Sequence, residues 1–211
     1  MVNKKNMKKY IYIIAFFISF SVNAQIQRAI EGSSVIRKNI LVNQEFNFFR
    51  DWTNIASFKS GLGETVKLYP IVFSTPDKKI VLQGLQLDAE VKPQESSITT
   101  TPTVTKGMLK RTIFIDKDDV IGMIAYIERD IVPNLKTTYK KQSKEYVFKS
   151  NEMFFSFLID EKDLRITIHI ADYGPLGDKP GGDQIEFWTE SKVDDIPVLL
   201  NTLKVFAKQM K

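Results

Sequence analysis

The chain carries a single histidine, His169, and no cysteine, so any nucleophilic or acid–base chemistry has one imidazole to build on. It lies in Arg165-Ile166-Thr167-Ile168-His169-Ile170, where isoleucines alternate with polar residues. Successive side chains of a strand point to opposite faces, so Arg165, Thr167 and His169 share one face and the isoleucines the other. A neutral imidazole there could act as general base for Ser156 or for a water molecule. Asp160, Asp163, Asp172 and Asp178 are the acids that could form a hydrolytic pair, which makes His169, Asp172 and Asp178 the catalytic candidates. The plain alternative is a histidine on the solvated face of an antiparallel sheet, which the alternation explains without catalysis. No G-x-S-x-G elbow marks a nucleophile.

Metal and cofactor chemistry finds little support. Zinc and transition-metal centres need several nitrogen or sulfur ligands, and one histidine without cysteine cannot supply them. Asp116, Asp118 and Asp119 form one acidic cluster and Asp160, Glu161 and Asp163 another. Neither fits a calcium-binding helix–loop–helix, because Val120 stands where that loop needs a third oxygen ligand. Helix capping accounts for the first cluster and a solvated turn for the second. The segment Asp172 to Asp183, rich in glycine and proline, could close over a ligand. Neither it nor Gly61-Leu62-Gly63 has the spacing of a phosphate-cradling loop, so both are expected to be connectors. No metal and no cofactor are expected.

A third group of residues could bind rather than react. Lys136, Lys140, Lys141, Lys144 and Lys149 are interleaved with Tyr139, Tyr146 and Phe148. Basic groups among aromatics can hold single-stranded nucleic acid or an anionic glycan by charge and stacking. Lysines also keep an exposed strand edge from pairing with another chain. The binding candidates are Lys140, Lys141, Lys144 and Tyr146; the solvated, edge-protecting reading is the simpler one.

The elements that must position these residues follow from periodicity. Tyr69, Ile71 and Phe73 alternate, Ser74-Thr75-Pro76-Asp77 reads as a turn, and Leu85, Leu87, Ala89 and Val91 alternate again, which predicts an antiparallel hairpin. Pro70 and Gly84 interrupt it, as residues at bulges or strand edges do. The Ser/Thr/Pro-rich stretch 92–107 is expected to be an exposed connection. A strand at Leu109 to Ile115 then leads into a helix capped by Asp116, with Val120, Ile124, Ile127 and Ile131 on its buried face and Pro133 as its stop. Further strands are expected at Tyr146–Lys149, Met153–Ile159, Leu164–Ile170 and Ile185–Thr189. A last helix capped by Asp194 or Asp195 presents Ile196, Leu199, Leu200, Leu203, Phe206 and Met210 inward. The stretch 25–60, with Phe46, Phe48, Phe49, Trp52 and Phe58, shows no clean period and is expected to pack onto a main body at 61–211.

Strands followed by a helix imply an α+β fold with antiparallel sheet and two amphipathic helices. Asp118-Asp119-Val120 with Met123-Ile124 is echoed 76 residues later by Asp194-Asp195-Ile196 with Leu199-Leu200. Any acid-capped amphipathic helix gives a similar pattern; if the echo is a duplication, the chain divides into two strands-then-helix halves, 61–133 and 134–211. At the level of element order alone this resembles the Whirly-type single-strand nucleic-acid-binding fold, whose units have four strands and a helix. Fold does not transfer function.

Residues 1–24 read as a secretory signal peptide: Lys4, Lys5, Lys8 and Lys9, an apolar run from Tyr10 to Phe20, and Val22-Asn23-Ala24 before Gln25. The run is shorter than the roughly 20 residues a membrane span needs, so cleavage and no remaining span are expected. Without cysteine no thiol-linked lipid can follow. The leader holds four lysines and no acid, so 26 basic residues face 25 acidic ones in the remaining chain. A net charge of +1 removes the argument for a nucleic-acid partner that the whole-chain value of +5 suggests. As a whole the chain resembles uncharacterised secreted proteins of Gram-negative bacteria. The expected function is a secreted, non-catalytic interaction or ligand-binding domain, periplasmic or extracellular, with unknown ligand or partner; the alternative is a secreted hydrolase using His169 and the loop carboxylates.

Overall fold

In the computed structural model the residues described are 33–53, 56–59, 63–91, 109–161, 164–173, 180–190 and 196–210. The expected leader, the connection at 92–107 and the caps Asp194 and Asp195 lie outside them. Helix α1 (Val35–Val42) precedes strands β1 (Asn47–Arg50), β2 (Ala56–Lys59), β3 (Thr65–Ser74), β4 (Val81–Val91) and β5 (Leu109–Asp116). These strands form one antiparallel sheet in the order β1-β3-β4-β5, with β2 also paired to β3. Helix α2 (Lys117–Tyr126) follows and continues through a π turn, Ile127–Ile131, into a 3-10 turn, Val132–Asn134. Strands β6 (Lys144–Lys149), β7 (Met153–Ile159), β8 (Leu164–Tyr173) and β9 (Pro180–Glu190) make a second antiparallel meander, and α3 (Ile196–Gln209) closes the chain. The molecule is an α+β fold in which strands are twice followed by a helix.

The predicted hairpin is β3–β4, with Leu68 opposite Leu87 and Phe73 opposite Leu82. Neither Pro70 nor Gly84 makes a bulge; the register runs unbroken past both. Pro70 falls in the gap between β1, which ends opposite Ile71, and β2, which begins opposite Leu68. No neighbouring strand there needs the N–H that proline lacks, and its carbonyl still accepts from Asp51 N at 3.0 Å. Gly84 has a different reason: a Cβ would sit 2.3 Å from the Ile115 carbonyl oxygen and 2.6 Å from Ile36 Cδ1. Its missing side chain lets α1 press against the sheet.

One continuous core joins the two sheets and the two long helices. Leu85, Leu87, Ile113 and Ile115 of the first sheet meet Phe155, Phe157, Ile166 and Ile168 of the second, together with Val120, Met123 and Ile127 of the α2 segment and Ile196, Leu199, Leu203 and Phe206 of α3. Each such side chain contributes about 1.5–3 kcal/mol by leaving water. The predicted inner face of α3 holds, with Leu200 at its margin. That of α2 shifts: Met123 and Tyr126 are buried and Ile124 is only partly so. The π turn widens the helix after Tyr126 and brings Ile131 back to the core. Pro133 then ends it. Val120, Met123 and Ile127 recur 76 residues later as Ile196, Leu199 and Leu203, every one buried, so the helical echo in the sequence marks equivalent core positions.

Two boundaries differ from expectation. A third helix, α1, arises within the stretch that showed no period, and Phe58 from β2 enters the main core. Strand β9 begins at Pro180 rather than Ile185, with Pro180 opposite Tyr173, so the glycine-rich connector narrows to residues 174–179. Among the described residues no helix is long and apolar enough to cross a membrane.

Candidate functional site

The outer face of the five-stranded sheet, turned away from the common core, is where polar groups converge. Helix α1 covers one part of it, packing Ile36 and Ile40 on Ile71, Phe73 and Phe114. An eight-residue helix is marginal alone, and this one is held by carboxylates distant in sequence. Ser34 caps it in the usual way, its hydroxyl accepting from Arg37 N. Asp116 does not cap its own helix; its two oxygens accept from Val35 N at 2.7 Å and Ile36 N at 3.1 Å, where the positive end of the α1 dipole favours a carboxylate. Glu152, buried in the β6–β7 turn, accepts four bonds: from Ser34 N and Ser34 Oγ on Oε1, and from Arg37 Nε and Phe114 N on Oε2. Arg37 also donates to the Thr112 carbonyl at 2.6 Å. Side chains thus satisfy two outward backbone groups of β5, the Thr112 carbonyl and the Phe114 N–H, where among the described residues no further strand pairs.

Next to α1 the sheet surface is polar and partly open. Asp88 of β4 and Thr112 of β5, both half-buried, form its floor, and Tyr69 of β3 and Gln86 of β4 lie buried beneath them. The Tyr69 hydroxyl donates to Asp88 Oδ2, while Gln86 Nε2 (2.8 Å) and Thr112 Oγ1 (2.7 Å) donate to Oδ1. Gln86 Nε2 also reaches the Tyr69 oxygen at 2.6 Å, and Gln86 Oε1 accepts from Arg50 Nε at 2.9 Å. The Arg50 guanidinium lies 4.3 Å above the Phe48 ring and is thereby fixed on two sides. Trp52 stacks on Tyr69 at 4.8 Å between centroids yet remains 62 % exposed. Burial first, then the hydrogen bond and charge of Asp88, push the Tyr69 phenol well above its ordinary value, so it stays a donor.

The sequence-derived candidates lie elsewhere. His169 is on the outer face of the four-stranded sheet, as its alternation requires, with Ile166, Ile168 and Ile170 in the core. Its register partner on β7 is Phe154, whose ring meets the imidazole edge-on at 6.5 Å. Ser156 stands opposite Thr167 instead, one pair removed from His169. Asp172 lies in β8, but its side chain falls outside the described residues, as do Asp163 and Asp178 entirely; Asp160 opens the described part of the β7–β8 turn, just after β7. The chemistry-bearing groups brought together on this face are Lys149, Phe154 and His169, the ammonium of Lys149 lying 4.9 Å over the Phe154 ring.

The lysine-rich patch borders β6, at one end of its sheet. Lys136, Lys140, Lys141, Lys144 and Lys149 are all exposed, whereas Tyr139, Tyr146 and Phe148 pack against the core. Lys144 covers the Tyr146 ring at 4.5 Å. The aromatics interleaved in sequence therefore point inward and leave no open stacking platform between the charges. Asp116, Asp118 and Asp119 are close enough that burial, then the charges of Asp116 and Asp118, raise the Asp119 carboxyl; among the described residues no group of acids or histidine is placed to hold a metal. A small cavity of about 230 Å³ lies where Met210 meets Phe49, Pro70 and Val72.

Sequence reasoning missed Arg50, Trp52, Tyr69, Gln86, Asp88 and Thr112 as a group. One signal was present: Gln86 and Asp88 alternate with Leu85, Leu87 and Ala89, so both belong to the face opposite the core. What that face meets depends on the register of β3 and β5 against β4. No protein-family model matches the chain, and no curated protein matches it.

Proposed function

We propose that the protein is a non-catalytic ligand-binding domain whose recognition surface is the polar shelf of Arg50, Trp52, Asp88 and Thr112, supported from beneath by the buried Tyr69 and Gln86. The observation that carries this reading is the half-open indole of Trp52, seated on Tyr69 beside an arginine already held by two partners. A large exposed aromatic costs little conformational entropy to use, and prepositioned polar groups spare the ordering that binding otherwise requires. The shelf is fixed by hydrogen bonds internal to the protein, which suits recognition. Export through the leader at residues 1–24 would present this surface outside the cytoplasm; the N-terminus of exported protein should then be Gln25.

The test is to probe glycan and peptide arrays with labelled protein. Discrete binding that is lost in Trp52→Ala and kept in His169→Ala supports the shelf. Binding that survives Trp52→Ala, or turnover of a hydrolase substrate that His169→Ala abolishes, overturns it.

A further inference from the structure

We infer that the shelf recognises a neutral saccharide, with one sugar ring stacked on Trp52 and its hydroxyls shared between Arg50 and Asp88; this rests on the shelf being the binding surface. The argument is one of complementarity. A carboxylate offers about four acceptor positions, and among the described residues Asp88 accepts from Gln86 and Thr112 on Oδ1 and from Tyr69 alone on Oδ2, so Oδ2 keeps one. Arg50 uses Nε alone, and among the described residues nothing engages its two terminal nitrogens. The Trp52 indole N–H is likewise without a partner there.

The open valences are therefore donors from a guanidinium and an indole beside an acceptor on a carboxylate. A hydroxyl group both donates and accepts, and a ring bearing several is the neutral chemistry that uses this combination. Asp88 at the centre of the floor opposes an anion, and Arg50 at its rim opposes a cation. Among exposed neighbours Lys67 stands in register with Asp88, and Lys110 is paired to Glu90 at 3.2 Å, so fixed charges of both signs alternate across the face. The apolar C–H face of a pyranose suits the outer face of Trp52, because the indole's inner face already lies on Tyr69.

The experiment is an isothermal calorimetric titration of the full chain and its variants, with tryptophan emission followed alongside in the wild type, against neutral hexasaccharides (gluco-, xylo- and manno-oligomers), anionic uronic-acid oligomers, and a tryptic peptide mixture. The neutral series is expected to shift the tryptophan emission and protect it from iodide quenching. Trp52→Ala should weaken that binding about tenfold or more, Trp52→Phe should restore part of it, and Arg50→Lys should weaken it about fivefold. His169→Ala should leave it unchanged. Far-UV circular dichroism of each variant separates lost binding from lost fold. If the uronic-acid oligomers or the peptides bind in a Trp52-dependent way and no neutral glycan does, the ligand class is overturned while the shelf stands. If nothing in the three series distinguishes Trp52→Ala from wild type, both fall.

Discussion

The two outer sheet faces invite comparison because each is generated by the same alternation of apolar and polar residues. On the four-stranded sheet, Lys149, Phe154 and His169 make one cross-strand row, in which an aromatic ring separates the ammonium from the imidazole. On the five-stranded sheet, Lys67, Asp88 and Thr112 make one row and Tyr69, Gln86 and Phe114 the next. Here polar groups adjoin polar groups, and they bond to one another. A row of ionisable residues around an apolar spacer yields independent side chains; adjacent polar rows yield a network whose members fix each other's geometry. The difference comes from which residue types each register sets side by side.

The sharpest break of that comparison is Glu152→Ala. It removes the acceptor of four bonds, among them the Glu152 carboxylate's contact with the Arg37 guanidinium buried beside Phe114. Breaking such a pair costs about 3–5 kcal/mol, read as a lowered urea midpoint, whereas Lys149→Ala on the other face should change stability by less than about 0.5 kcal/mol. Equal effects would mean that the two faces are energetically alike.

Gly84→Ala comes next. Its methyl would meet the Ile115 carbonyl and Ile36, so α1 must lift or the strands part, at about 1–3 kcal/mol by the same measurement. Asp88→Asn keeps the shape of the shelf but weakens the acceptor for Tyr69, Gln86 and Thr112, and about 1–2 kcal/mol should be lost. His169→Ala, a half-buried ring with one aromatic neighbour, should cost less than about 1 kcal/mol.

Alkaline titration sharpens the contrast differently. Tyr69, through burial and then Asp88, and Tyr126, through burial and then the charges of Asp130 and Glu145, have phenols raised above the ordinary value. A raised folded value means that the unfolded chain ionises first. Stability is then intact below about pH 10 and declines as pH rises further. Tyr69→Phe and Tyr126→Phe should each flatten that decline in pH-dependent unfolding; a slope unchanged in both variants would remove these phenols as its source.

Much of the fold was readable because strand and helix periods are local properties. The β3–β4 hairpin, the β7 and β8 strands and the inward face of α3 follow from alternation and from apolar residues at helical spacing. Where local rules compete, the reading shifted: the π turn after Tyr126 re-phased α2, and α1 was hidden because its stability comes from Asp116 and Glu152, far along the chain. The Trp52 shelf was hidden for the same reason, its six residues being drawn from β1, the turn after it, β3, β4 and β5.

The sequence by itself determined the α+β class, the absence of thiol chemistry, the placement of His169 on a sheet's outer face, and the near neutrality of the chain beyond its lysine-rich first 24 residues. These depend on composition and on the twofold period of extended backbone. Tertiary structure alone decided that Asp116 caps a helix 80 residues before it, that Glu152 closes an ion pair on the edge of β5, and that Asp88 stands among Tyr69, Gln86 and Thr112. Each is a contact between segments whose relative register is set by the packing of the whole, because a one-residue slip would turn every side chain of a strand to the opposite face.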